Sequence, residues 1–227
     1  MRKGGDLRIV SKFIDSLIQP LQSPTKTKIL DEITKRIGSL SAPSKMPCSA
    51  WSLPASKCIT GAKLATICGT PCSECYAKKG RYSFPMVQLA QDRRLKAWQE
   101  DPDWVLLMST RITLLDEGYF RWFDSGDLQS AKMLQDINQV ATNVGNVMHW
   151  LPTQERNLVK GVALAPNLIV RISSTKIGEE QELGWWQWTS SIGINEWNCP
   201  SNDQAGKCEN CRRCWDKNVS NVVYKAH

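Results

Sequence analysis

The chain has 227 residues, 41% apolar and 22% charged, with nine Cys, ten Trp, 14 Gly and 11 Pro. At about 150 residues per domain this is one medium domain, or one domain with a small appendage, and its composition excludes a low-complexity or disordered chain. The net charge is +7, but residues 1–45 hold nine Lys/Arg against four Asp/Glu, which leaves only +2 on the other 182 residues.

Residues 7–20 (LRIVSKFIDSLIQP) read as a short amphipathic helix stopped by Pro20. Residues 25–38 restart the pattern, with Ile29, Leu30, Ile33 and Ile37 on one face and Gly38 as the C-terminal cap. Residues 39–57, with three Pro, read as an extended connector, so 1–45 is a basic helical arm ahead of a single domain over 46–227. The charge of such an arm suits either a solvated face or a contact with nucleic acid.

Helical periodicity returns over 84–99 and 101–117, the second opening with Asp101 as N-cap and Pro102 in its first turn. The aromatic run 119–127 (YFRWFDSGD) reads as a buried strand ending in a polar Gly turn. A helix at 129–142, a strand at 146–151, a short helix at 154–164 and a strand at 167–173 follow. Strands alternating with helices predict a parallel α/β sheet or barrel, with the chemistry beyond the carboxyl ends of the strands. Asp124, Ser125, Gly126 and Asp127, then Thr153 and Gln154, then Ser173 and Ser174, are expected around that rim.

No run approaches the ~18 apolar residues of a membrane helix, and the basic opening has no apolar segment behind it. The expectation is an intracellular protein with no membrane partner. In a reducing cytosol, nine cysteines crowded into two tracts point to metal or catalysis rather than disulfides. The C-terminal tract, CPSNDQAGKCENCRRCW, sets Cys199, Cys208, Cys211 and Cys214 at C-x8-C-x2-C-x2-C. Structural zinc takes well-separated knuckles, whereas C-x2-C-x2-C with a remote Cys-Pro matches ferredoxin-type 4Fe-4S ligation in inverted order. In the N-terminal tract Cys68, Cys72 and Cys75 form C-x3-C-x2-C, the spacing by which radical S-adenosylmethionine enzymes hold a cluster with one open iron. A structural cluster or zinc knuckle is the alternative.

The stretches WSLPASKCITGAKL, CSECYAKKGRYSFP, FRWFDSGDL, WLPTQE, RISST, CPSNDQAGKCENCRRCWD and NVVYKAH occur in one order from about Met46 to His227. In these the chain resembles the phage gene product 88 family, with residues 1–45 outside the likeness. The resemblance implies a phage-encoded auxiliary protein of the host cytoplasm. It assigns Cys58, Cys72 and Cys75 to the first ligand set and leaves Cys48 and Cys68 as bystanders. A related phage group with a similar C-x-x-C-Y-A word is radical-SAM-like, which extends the expected fold to a partial (β/α) barrel of that kind. It also places the turn of Asp124, Ser125, Gly126 and Asp127 where a cofactor amine would sit.

The expected protein is thus an iron-sulfur protein with one or two 4Fe-4S clusters, on Cys58, Cys72 and Cys75 and on Cys199, Cys208, Cys211 and Cys214. S-adenosylmethionine is an expected cofactor of the open position, in contact with Asp124, Ser125, Gly126, Asp127 and Arg171. The expected partner is an electron donor or a host or phage protein. The rival is a metal-stabilised nucleic-acid-binding or regulatory protein acting through the arm. His149 reads as a packed strand residue, and His227 as a candidate fourth ligand. Asp124 and Asp127 suit either paired acids or a helix-start cap. Arg171, if it points inward, needs an anion or carboxylate. Trp185, Trp186, Trp188 and Trp197 read as a base-stacking platform or as an apolar shell for a cluster.

Overall fold

The computed structural model describes residues 25–226. The helix expected over 7–20 and His227 lie outside the described residues. Helix α1 (Lys26–Ile37) starts where the Thr25 side chain accepts from the Lys28 amide and ends at Gly38, whose φ of 80° only glycine adopts freely. Its Ile29, Ile33 and Ile37 are buried in the main core, each contributing roughly 1.5–3 kcal/mol by leaving water. Arg36 at its last turn forks onto Asp101 and Asp103, at 2.7 and 2.8 Å. The described part of the arm is therefore packed onto the domain.

The connector carries a two-residue strand, β1 (Ala50–Trp51), and leads to a short helix, α2 (Thr60–Leu64). Helix α3 (Pro85–Glu100) has Pro85 in its first turn, where a missing N–H is harmless. Helix α4 (Trp104–Leu115) starts two residues later than the Asp101-Pro102 signal predicts, with Asp103 in the cap position. Asp101 is instead taken up by Arg36 and by the Asp103 amide. Strand β2 (Tyr119–Trp122), helix α5 (Ala131–Asn143, capped by Ser130), strand β3 (Met148–Thr153), helix α6 (Arg156–Val159) and strand β4 (Leu168–Ser173) follow the predicted order. Two further strands, β5 (Thr189–Gly193) and β6 (Asn221–Lys225), were not expected.

The six strands pair in sequence order, all parallel, and β1 does not meet β6, so the sheet is open. Successive right-handed crossovers in that order put the helices on one face. Side-chain alternation then divides the strands. Phe120, Trp122, Leu151, Leu168, Val170 and Ile172 join the helical core. Tyr119, Trp150, Ile169, Val222 and Tyr224 form a second cluster on the other face, with Cys48, Cys199, Cys214 and Trp215. Arg121 and Arg171 share this second face by period two. The connection from β5 to β6 supplies the cover that helices supply opposite.

Candidate functional site

The turn after β2 is built by backbone constraint. Phe123 and Gly126 both have positive φ, at 56° and 82°. A Cβ at Gly126 would stand 2.6 Å from the Leu53 Cβ and 2.8 Å from its carbonyl oxygen, so only glycine fits. The Leu53 amide donates to the Ser125 carbonyl at 2.9 Å, and the Ser125 hydroxyl returns a bond to the Leu53 carbonyl at 3.0 Å. Asp127 accepts from the Thr153 hydroxyl (2.5 Å) and from the amides of Leu128 (2.7 Å) and Gln154 (2.8 Å). Burial nonetheless pushes its carboxyl up to about 7. Asp127 thus ties the end of β2 to the end of β3, and the helix-start cap is Ser130, not either aspartate. Asp124 is clasped by the CYAKKGRY word. The Tyr76 hydroxyl donates to its carbonyl at 2.7 Å and the Tyr82 hydroxyl to its carboxylate at 3.1 Å.

Above these strand ends sits the first cysteine group. Glu155, just past β3, accepts from the Thr60 amide at 2.6 Å and the Thr60 hydroxyl at 2.7 Å, which pins the loop bearing Cys58. At Gly61 a Cβ would lie 3.1 Å from the Cys58 Cβ, 3.5 Å from the Cys72 sulfur and 3.8 Å from the Cys58 sulfur. The missing side chain leaves a cradle flanked by both thiols. Burial, followed by the negative charge of Asp127, Cys75, Cys72 and Glu155, pushes the Cys58 thiol up to about 12. Burial, then Cys75 and Asp127, pushes Cys72 up to about 11. Cys75 lies near enough to add negative charge at both thiols, whereas Cys68 is exposed.

The second group lies on the face away from the helices. Cys199, Cys208, Cys211 and Cys214 line one small cavity with Ser201, Trp215 and Val222. The Cys199 amide donates to Val223 on β6 and the Cys208 amide to Lys45, both at 3.0 Å. Ala205, Gly206 and Glu209, all with positive φ, turn the loop between them. Arg171 is fully buried beneath it. Its five N–H groups reach six carbonyls at 2.8–3.2 Å: Cys214, Thr189, Ser220, Arg213, Asp216 and Val219. The anion or carboxylate expected for an inward Arg171 is replaced by loop backbone, and the residue stands apart from the rim of Asp124 and Asp127.

Sulfur contacts complete this group. The Tyr224 hydroxyl is 3.2 Å from the Cys214 sulfur and the Ser201 hydroxyl 3.3 Å from the Cys199 sulfur. Trp215 donates to the Phe120 carbonyl at 2.9 Å and packs edge-on against Trp150 at 5.3 Å. These two indoles, missed in the sequence, shield the thiols. In the tryptophan run at 185–197, Trp186 and Trp188 have their N–H groups tied to the Val170 and Lys217 carbonyls, both at 3.0 Å, as covering residues. Cys48 is buried on this same face, its thiol pushed up to about 12 by burial and then by Glu117. His149 is fully buried on the helical face, accepts from the Trp122 indole at 3.3 Å, and is held neutral by burial, down to about 3.

Arg121 stands between the two groups. Its guanidinium lies 4.7 Å over Trp150, donates to the Tyr76 hydroxyl at 3.2 Å beside Cys75, and touches the Met46 sulfur at 3.7 Å. Met46 in turn lies 3.8 Å from the Cys208 sulfur. Among the described residues no three His, Cys, Asp or Glu side chains are set to hold a single metal ion. A cubane cluster makes a different demand, since each thiolate binds its own iron and the sulfurs stand farther apart than around one ion.

This fold and site define a parallel α/β protein with one cysteine group over the strand ends and another under the helix-free face. The chain belongs to the gene product 88 family, whose model, described as Gene product 88, matches residues 17–217. The match corrects the extent read from the motifs at both ends, because it takes in residues 17–45 and stops at 217, before the NVVYKAH stretch. The packing of α1 into the main core gives the physical reason for the first. No curated protein and no solved structure matches the chain. Among the described residues no helix is long and apolar enough to cross a membrane.

Proposed function

We propose that the protein is an iron-sulfur protein with two centres. Cys58, Cys72 and Cys75 hold a 4Fe-4S cluster with a non-cysteine fourth position, and Cys199, Cys208, Cys211 and Cys214 hold a fully ligated one. The observation that carries this reading is that these seven cysteines gather into two separate sets, each with its own scaffold. The donor chemistry fits: thiolates in numbers of three and four, a glycine cradle at Gly61, and indoles that exclude water. When bound, such clusters supply one-electron transfer. Glu155 fixes the loop of the first set, and Arg171 fixes the second by its carbonyl bonds. The first set lies over the strand ends, where parallel α/β folds place ligands, so its open position is the one a substrate or cofactor would reach. S-adenosylmethionine there is the narrower form of the reading, tested by its reductive cleavage.

Anaerobic purification with iron, acid-labile sulfide and EPR measurement tests the proposal. The expected result is a brown protein with up to eight irons, on the order of two cubanes. Cys72→Ser and Cys211→Ser should each remove one centre and spare the other. A colourless protein containing zinc and no sulfide overturns it.

A further inference from the structure

The two cysteine sets are surrounded by opposite charge: the second has one fully buried cation, Arg171, and two half-buried ones, Arg121 and Arg212, against one half-buried acid, Asp216. Arg212 donates to the Cys211 carbonyl at 2.8 Å, Arg171 to the Cys214 carbonyl at 3.1 Å, and Arg121 reaches Cys208 through Met46. The other acids of that tract, Asp203 and Glu209, are exposed. The first set has the reverse arrangement. Its acids Asp127 and Glu155 are buried, at 6% and 9% exposure, Asp127 being only partly ionised near pH 7, while Lys57, Lys63, Lys78, Lys79 and Arg81 all point to water. Water and salt screen exposed charges within about 8–10 Å, so the buried and half-buried charges dominate in both places. Hydroxyls of Tyr224 and Ser201 also reach sulfurs of the second set. Among the described residues no hydrogen bond is made to a sulfur of Cys58, Cys72 or Cys75.

Reducing a thiolate-bound cluster adds one negative charge, which cations and hydrogen-bond donors favour and carboxylates oppose. We propose that the set of Cys199, Cys208, Cys211 and Cys214 is poised at the higher reduction potential, so that an electron delivered by an external low-potential donor to the Cys58, Cys72 and Cys75 set passes on to it. One electron leaves the first centre, which returns to its oxidised state, and the second is reduced by that electron, with no bond made or broken. Arg121, lying between them, acts as a positioning residue that stabilises the accepted charge.

This inference rests on the iron-sulfur reading, and a dye-mediated, EPR-monitored titration of the full anaerobic protein separates the two. Two one-electron waves are expected, apart by at least tenfold in the internal equilibrium, which is 59 mV for a one-electron couple. Cys211→Ser should abolish the upper wave and Cys72→Ser the lower. Arg121→Gln should lower the upper wave, Arg121→Lys should restore it, and Glu155→Gln should raise the lower wave. Two clusters with merged waves, or with the order reversed, overturn this inference alone. A protein without iron and sulfide overturns the iron-sulfur reading and this one with it.

Discussion

The two cysteine sets use the same side chain in settings that differ in kind. The first sits on loops at the open end of the sheet, positioned by two carboxylates and a glycine turn. The second lies against the strands themselves, where Cys214 and Trp215 pack as core residues and the β5–β6 connection, held by the buried Arg171 guanidinium, takes the place of the helices on the opposite face. A loop-borne set over strand ends is placed to meet a ligand, whereas a set that completes the core is placed to hold structure and charge. Perturbing one scaffold should therefore leave the other centre intact.

The largest expected effect is at Arg171. Replacing it with Met strands six carbonyls in the interior, each worth about 1–3 kcal/mol if left without a partner, so a loss of at least about 4 kcal/mol is expected even after partial rescue by water. Denaturant unfolding should show that loss. Metal analysis of the surviving folded protein should show depletion of the second centre only. Equal depletion of both centres would break the comparison.

Next comes Gly126→Ala. The side chain would enter at 2.6 Å from Leu53 in a left-handed backbone, which adds a conformational cost of about 1–2 kcal/mol to an overpacking cost of about 1–3 kcal/mol. Here the first centre should lose iron and the second keep it. Unchanged stability by thermal melting would mean that the turn is not what holds the Cys58 loop in place.

His149 tests the sheet that joins the two regions. Its folded pKa, about 3, lies below the ordinary imidazole value near 6.5, so the unfolded chain binds the proton more tightly. Its contribution is complete above about pH 6.5 and is lost as pH falls toward 3, at about 1.4 kcal/mol per unit. Asp127, with its carboxyl raised to about 7, has the opposite slope over the same window, so the His149 slope should appear as the difference between the native protein and His149→Phe in urea unfolding at pH 7 and pH 5.

Much of the fold was legible because its signals are local. The Ile29, Ile33 and Ile37 stripe and the aromatic run at 119–122 each carry their own period. Strand β5 was not legible, since TSSIG has no apolar alternation and owes its state to pairing with Asn221–Lys225 and with Ile172 and Ser173. The same division holds in the site. Spacing singled out the C-terminal cysteines, and the family likeness grouped Cys58 with Cys72 and Cys75. The partners of Arg171 lie 18–49 residues away and are all carbonyls, which no side-chain pattern can announce. Tyr76 and Tyr82 meet Asp124 across 48 and 42 residues, so their part in the CYAKKGRY word emerges only in three dimensions.

The smallest expected effect decides between the two ways of grouping the N-terminal cysteines. Spacing alone puts Cys68 with Cys72 and Cys75, whereas the fold exposes Cys68 and brings Cys58 and Cys72 together around Gly61, with Cys75 near enough to add its charge at both. An exposed side chain away from caps and ion pairs tolerates replacement within about 0.5 kcal/mol. Cys68→Ser should therefore match the native protein in unfolding midpoint, iron content and EPR spectrum. Cys58→Ser should lose the first centre while the second survives. If Cys68→Ser loses iron and Cys58→Ser does not, the loop must rearrange on loading. The glycine cradle then describes only the metal-free thiols, and the contrast between a loop-borne and a core-borne set must be redrawn around a different three sulfurs.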